Sequence, residues 1–339
     1  MSGEFQIISK IRARVRPGER VIVGVGDDAA VIRHEGATDL LACCDLMIEG
    51  VHFRLDWMPR HLVGRKALAV TLSDVAAMGG VPRFALVSIA LPGAGSTELA
   101  DEVMRGIIEM AEASGVSIIG GDTSGSPGAL FIDTSVIGEC GRGRAVTRGG
   151  ARPGDRVFVT GSLGASMLGL TLLQHGHRLD QFTKDEVSPS HPNMVLKALL
   201  KHLSPGPRLK EGRLIGEASI ATAMIDVSDG LSGDLSHILE ESRCGAVIEA
   251  GALPIAECVK TLAAAGMKID PLGLALHGGE EYELVFTVPR EECGRMLELS
   301  KSFDEPVTMI GEIVERRGLY LNRDGALEVV APSSYEHQI

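Results

Sequence analysis

Seven aspartates stand where an apolar chain ordinarily carries none. Asp27-Asp28 follow residues 21–26, Asp45 follows residues 40–44, and Asp74 lies within a run of small residues. Asp122 follows Ile118-Ile119-Gly120-Gly121, and Asp226 and Asp229 bracket Val227-Ser228. Aspartate is disfavoured in strands and in helix interiors, yet each of these ends or interrupts a segment that must be largely buried. Neighbouring glycines (26, 79, 121 and 230) allow close approach to the backbone. Singly, each acid has a plain structural reading. Asp229-Gly230 reads as a turn, Ser228 or Asp229 as a cap for a helix from Leu231, and Asp122-Thr123-Ser124 as an Asx turn. Converging, the acids would repel one another in a low dielectric, and hard divalent cations relieve that repulsion. Magnesium is usually held by a few carboxylates together with a phosphate-bearing substrate. The expected chemistry is magnesium-assisted handling of phosphate.

The common nucleotide motifs are missing. No GxxxxGK[ST] occurs, since Gly-Lys is absent from the chain, and the kinase HRD and DFG strings are absent too. Gly24-Val25-Gly26-Asp27-Asp28-Ala29 fits the dinucleotide pattern G-x-G-x-x-A, with Asp45 downstream. That reading fails twice. Only about six residues separate Ala29 from Glu35-Gly36, too few for the helix such a loop must open, and two carboxylates would repel a pyrophosphate. His52 reads either as a hydrogen-bonding partner of an anionic substrate or as an ordinary histidine. Arg148 reads either as a phosphate-neutralising guanidinium or as a surface charge. The six cysteines show no CxxC spacing, and no Ser/His/Asp or Cys/His set is discernible.

The elements that must position these acids alternate along the chain. At 339 residues the chain exceeds what one core usually supports, so two domains are expected. Strand-like segments cover 21–25, 40–44, 84–91, 116–119 and 130–137, with helices over 62–78 and from 96 or 97 to Gly115. Residues 141–156, rich in Gly, Arg and Pro, mark the boundary, giving domains 1–148 and 149–339. Strands then fall at 157–160, around 225, and at 247–249, 283–288, 307–313 and 319–322. Helices fall at 165–174, 193–203, 231–242, 255–265 and 290–301. The fold class is mixed α/β. A net charge of −12 without a basic block argues against a nucleic-acid partner. Apolar runs too short for a bilayer and no signal-peptide core point to a cytoplasmic protein.

Taken in order, these segments resemble the thiamine-monophosphate kinase family, of the superfamily that includes aminoimidazole ribonucleotide synthetase and selenophosphate synthetase. The resemblance runs nearly end to end. It rests on Gly26-Asp27-Asp28-Ala29-Ala30, Asp45 with Glu49-Gly50-Val51-His52-Phe53, and Leu72-Ser73-Asp74-Val75-Ala76-Ala77-Met78-Gly79. It continues through Gly120-Gly121-Asp122-Thr123, Thr147-Arg148, Ile225-Asp226-Val227-Ser228-Asp229-Gly230 and Gly278-Gly279-Glu280-Glu281-Tyr282-Glu283-Leu284.

The resemblance implies direct transfer of phosphate from ATP to thiamine monophosphate, giving thiamine diphosphate. It also implies an N-terminal domain that pairs through its sheet in a homodimer, and a larger C-terminal α/β domain. Asp28, Cys44, Asp45, Asp74, Asp122, Asp226 and Asp229 match positions that hold several Mg²⁺ ions. Gly121, Asp122, Arg148 and Ser228 match nucleotide-binding positions, and His52, Glu280 and Tyr335 match substrate-binding ones. Cys43-Cys44 departs from the family's Ser/Thr-Thr. A thiol at 44 is a poor magnesium ligand, whereas a carbonyl there loses nothing. Two other readings stay open: a sibling ATP-dependent synthetase, and a non-catalytic ATP–magnesium sensor.

Overall fold

The structure is a computed structural model and describes residues 4–15, 17–93, 96–182 and 191–331. After helix α1 (Glu4–Arg14), the first half builds one sheet from β1 (Val21–Val23), β2 (Ala30–Arg33), β3 (Thr38–Ile48), β4 (Val81–Pro92), β5 (Ser117–Ser126) and β6 (Phe131–Gly141). Its order is β1-β2-β3-β6-β4-β5, which leaves β5 on an edge, parallel to β4. Helices α2 (Arg60–Ala77) and α3 (Ser96–Ser114) pack on one face. The other face exposes Leu46, Phe84, Leu86 and Ile119.

The second half builds another sheet from β7 (Arg156–Thr160), β8 (Ala223–Asp226), β9 (Gly245–Glu249), β10 (Leu284–Val288), β11 (Val307–Val314), β12 (Gly318–Arg323) and β13 (Ala326–Val330). The order is β13-β12-β9-β11-β7-β10-β8. β10 is buried along its whole length, and its Phe286 stacks on Phe158 with ring centroids 5.7 Å apart. The helices of this half are α4 (Ala165–Gln174), α5 (Pro192–Leu203), α6 (Leu209–Ala218), α7 (Leu231–Ser242), α8 (Glu257–Ala264), α9 (Pro271–His277) and α10 (Cys293–Leu299), of which α4, α5 and α8 join the core of the first half.

Helix α2 joins the halves. It is buried nearly all round, which explains its lack of a polar face. It packs on α3, β3 and β6 on one side, and on α6 and β8 on the other. Gly79 ends it at φ +70°, a left-handed stop open to glycine at low cost.

The α/β alternation expected from the sequence is present, with instructive differences. Asp45 and Asp122 do not follow their strands but lie inside β3 and β5. The expected helix over 290–301 is α10 flanked by 3₁₀ turns. α1, β2, α6, α9 and β13 have no counterpart in the sequence expectations; β2, α9 and β13 are only four to seven residues long. No helix among the described residues is long and apolar enough to cross a membrane.

Candidate active site

Three acids from three separate elements meet. Asp28 comes from the turn before β2, Asp74 from the last turns of α2, and Asp226 from the end of β8; their carboxylate oxygens lie within 4.8 Å of one another. Asp45 on β3 and Asp229 beyond β8 border the same cavity. Ser73 donates to Asp226 at 2.6 Å, and Arg148 donates to Asp28 through Nε (3.1 Å) and Nη2. The Arg148 backbone N–H donates to Asp27. Asp28 Oδ2 and Asp45 Oδ2 are buried without a hydrogen-bond partner. Among the described residues the supply of donors falls short of what these carboxylates need as anions.

The electrostatics follow from that shortage. Burial, then Asp28, pushes Asp226 up to about 7. Burial raises Asp45 to about 6 and, with Asp45 and Asp226 adding to it, carries Asp74 well above the carboxylate range. Asp28 is raised by burial as well, although Arg148 opposes the shift. A cluster of this kind is stable only when protons or cations neutralise it.

The loop beyond β8 is held from behind. Asp234, in the first turn of α7, accepts from the backbone N–H of Asp229 and Gly230 at 3.1 and 3.0 Å. Ser228 is tied through its carbonyl to Glu280 N–H at 2.6 Å. Glu280 and Tyr282 adopt φ of +59° and +50°. Such conformations cost on the order of 1–3 kcal/mol each outside glycine, and they cluster at binding sites. They aim Glu280 into the cavity, next to Lys66 and His202.

One cavity of about 1200 Å³ links the acids to this second region. It is also lined by apolar and aromatic side chains, among them Phe53, Trp57, Met58, Leu170, Leu173 and Tyr282. His52 borders it and accepts from Ile48 N–H through Nδ1 at 3.0 Å, so Nε2 carries the ring proton. A cavity lined both by acids and by apolar and aromatic side chains suits a ligand that carries both phosphate and a ring.

Comparison with known proteins decides the family. The AIR synthase related protein N-terminal domain matches residues 26–140, and the AIR synthase related protein C-terminal domain matches residues 152–324. The thiamine-monophosphate kinase of Rhodopirellula baltica is 36% identical over 342 residues, covering 98% of this chain and 97% of its own. That of Bacillus subtilis is 35% identical, covering 98% and 99%. The chain belongs to the thiamine-monophosphate kinase family. Two solved structures agree. AaThiL complexed with AMPPCP and TMP superposes with a TM-score of 0.83 at 32% identity, covering 99% of this chain and 97% of that one. The kinase from Stenotrophomonas maltophilia gives 0.75 at 33%, covering 95% and 98%.

Of the family-matched positions, the structure brings Asp28, Asp45, Asp74, Arg148, Asp226, Ser228, Asp229, His52 and Glu280 to one cavity. It does not bring Gly121 or Asp122 there. Asp122 is aligned through Ser88 on β4 and Asp133 on β6 with Leu46 on β3, so it shares the exposed sheet face. Three strand spacings, roughly 14 Å, part it from β3. Gly121 has no room for a side chain, because a Cβ would meet Val87 O at 1.7 Å.

The cysteine pair is also rearranged relative to expectation. Cys44 borders the cavity but projects from the exposed face, like Leu46, whereas Cys43 and Asp45 face α2. Cys43 Sγ donates to Thr71 O at 3.4 Å. Strand alternation therefore turns the Cys44 thiol away from the acid cluster, and its side chain is no ligand there. Tyr335 lies outside the described residues. Sequence reasoning missed Lys66, His202 and Asp234. Lys66 carried a signal: it lies eight residues before Asp74 on α2, hence on the same helix face, in an otherwise apolar run.

Proposed function

We propose that this protein phosphorylates thiamine monophosphate with ATP, forming thiamine diphosphate by direct phosphoryl transfer. The observation that carries this reading is one cavity lined both by the buried acid cluster and by Glu280 and Trp57. The family relatives support it, and AaThiL was solved with AMPPCP and TMP bound.

The residues present fit magnesium. Asp28, Asp74 and Asp226 offer hard oxygens within 4.8 Å, and Asp28 Oδ2 and Asp45 Oδ2 are buried without donors. These four, with Asp229, would hold the ions, which supply charge neutralisation at the transferring phosphoryl group. The chain's own part is positioning. Arg148, fixed by Asp28, places a guanidinium beside the phosphates, and the Ser228–Gly230 loop is braced by Asp234. The accepting phosphate oxygen is already ionised near neutral pH, so no general base is required. In a coupled assay, thiamine monophosphate is expected to release ADP with an equal amount of thiamine diphosphate. ADP release without thiamine diphosphate would overturn the reading.

Metal binding makes stability depend on pH in a defined direction. Asp226 and Asp74 titrate above their unfolded values, so their contribution is intact at low pH; that of Asp226 is lost as pH rises through about 7, and Asp74 acts in the same direction. Below about 6.5, His202 and His237, both lowered to about 4, act in the opposite sense. The metal-free protein is therefore expected to melt at higher temperature at pH 6.5 than at pH 8.5. Saturating Mg²⁺ should raise the melting temperature more at pH 8.5. Equal stabilisation at the two pH values would count against metal binding by this cluster.

The protein acts as a homodimer in this reading. The exposed apolar sheet face with Leu46, Phe84, Leu86 and Ile119 requires a cover, and a second copy supplies the same surface. Pairing there carries Gly121 and Asp122 of one chain to the acid cluster of the other, which accounts for their distance from their own.

A further inference from the structure

A buried ion-paired group lines the same cavity, on the loop that abuts Ser228. Lys66, on α2, is only 1% exposed, and its Nζ lies 2.9 Å from Glu280 Oε1. The contact is a buried ion pair between an ammonium and a carboxylate. On the other side His202, on α5, places Nδ1 3.0 Å from Glu280 Oε2 and 3.1 Å from Ser166 Oγ. Glu280 stays ionised: burial works against the anion, but Lys66 and then His202 hold it below the usual range. Burial, with Lys66 adding to it, lowers His202 to about 4, so the ring is neutral. Nδ1 thus sits between the Glu280 carboxylate and the Ser166 hydroxyl, and a proton on Nδ1 is the tautomer that favours the Glu280 anion. Ser166 in turn is fixed through its backbone N–H to Glu281 Oε1 at 2.9 Å.

These contacts tie together α2 of one half and α4, α5 and the 278–283 loop of the other. Lys66, Val70 and Asp74 recur every four residues on α2, and all three line the cavity. Eight residues of helix put Lys66 about 12 Å from Asp74 along the axis. The same helix face therefore reaches the phosphate region at one end and Glu280 at the other.

We propose that Lys66 and His202 are positioning residues that fix the Glu280 carboxylate as a hydrogen-bond acceptor for the ring amino group of the substrate. The inference rests on the thiamine monophosphate reading and deepens it. Because Lys66 already balances the charge of Glu280, the pair is close to neutral and offers little to the thiazolium cation. What remains is directional acceptance from N–H donors, which the aminopyrimidine has and its oxo analogue lacks. Glu280 thereby selects the ring, while the acids and Arg148 manage the phosphates.

The test uses the full-length protein, steady-state kinetics and calorimetric titration with thiamine monophosphate or oxythiamine monophosphate. Lys66→Met is expected to raise KM for thiamine monophosphate about tenfold, or ~1.4 kcal/mol, with KM for ATP within about twofold of normal. Lys66→Arg should recover part of the loss. In the Glu280→Gln background, Lys66→Met should add nothing, because its effect acts through that carboxylate. The preference of the wild type for the amino over the oxo substrate should shrink in Lys66→Met. If Lys66→Met fails to fold, His202→Phe carries the same comparison. An equal rise in KM for ATP, additive effects in the double variant, or an unchanged amino/oxo preference overturns the inference alone. Absence of thiamine monophosphate turnover by the wild type overturns the proposed function, and this inference with it.

Discussion

Asp226→Asn is expected to lower turnover of thiamine monophosphate by about 10²–10³ while raising the melting temperature of the metal-free protein. The two effects have one cause. Asp226 is 3% exposed, with Asp28 and Asp74 within 4.8 Å, and burial with the Asp28 charge pushes it up to about 7. An amide of the same shape removes one of three mutually repelling carboxylates and still accepts the Ser73 hydroxyl, which lies 2.6 Å from Oδ2. The folded state sheds repulsion, and the catalytic state loses a hard anionic ligand. Turnover comes from the coupled assay at saturating magnesium, and stability from melts in chelator. A variant with activity within tenfold of wild type, or one less stable without metal, would show that these acids are not a shared cation site.

Mixing two inactive variants is expected to restore activity. Asp74→Asn disables the cluster of its own chain, and Asp122→Asn removes the acid on the β5 edge. If Asp122 serves the partner's cluster, a mixed dimer holds one site with both acids intact and one with neither. Random exchange of equal amounts makes half the dimers mixed, so about one quarter of wild-type activity returns. If Asp122 served its own chain, every site would lack one acid and the mixture would stay inactive. The roughly 14 Å between β3 and β5, with Asp45 and Asp122 on opposite faces, favours the first outcome. Leu86→Arg, on the exposed sheet face, should give monomers by light scattering and lose activity for the same reason.

Much of this site was legible in the chain because its chemistry is local. Asp27-Asp28, Asp45, Asp74, Asp226 and Asp229 contradict the propensities of the segments that carry them, and such conflicts mark functional positions. The order of these motifs sufficed to indicate the family and the two α/β halves. Short elements such as β2 and α9 escaped notice because four to seven residues carry too little periodicity to separate from a turn.

Side-chain facing and long-range pairing belong to the tertiary structure. Cys44 and Asp45 are adjacent in sequence but on opposite faces of β3, and only the placement of α2 decides which face meets the acids. Asp122 has the same motif character as Asp74, yet the strand order β3-β6-β4-β5 carries it away from the cluster of its own chain. Lys66 and His202 are 136 residues apart and meet at Glu280 only because α2 and α5 close on one loop. By itself the sequence determined which residues break the local rules, since propensity and spacing are properties of neighbours along the chain. Which of them share a charge, a face or a ligand was settled by packing, because electrostatic energy depends on distance in space.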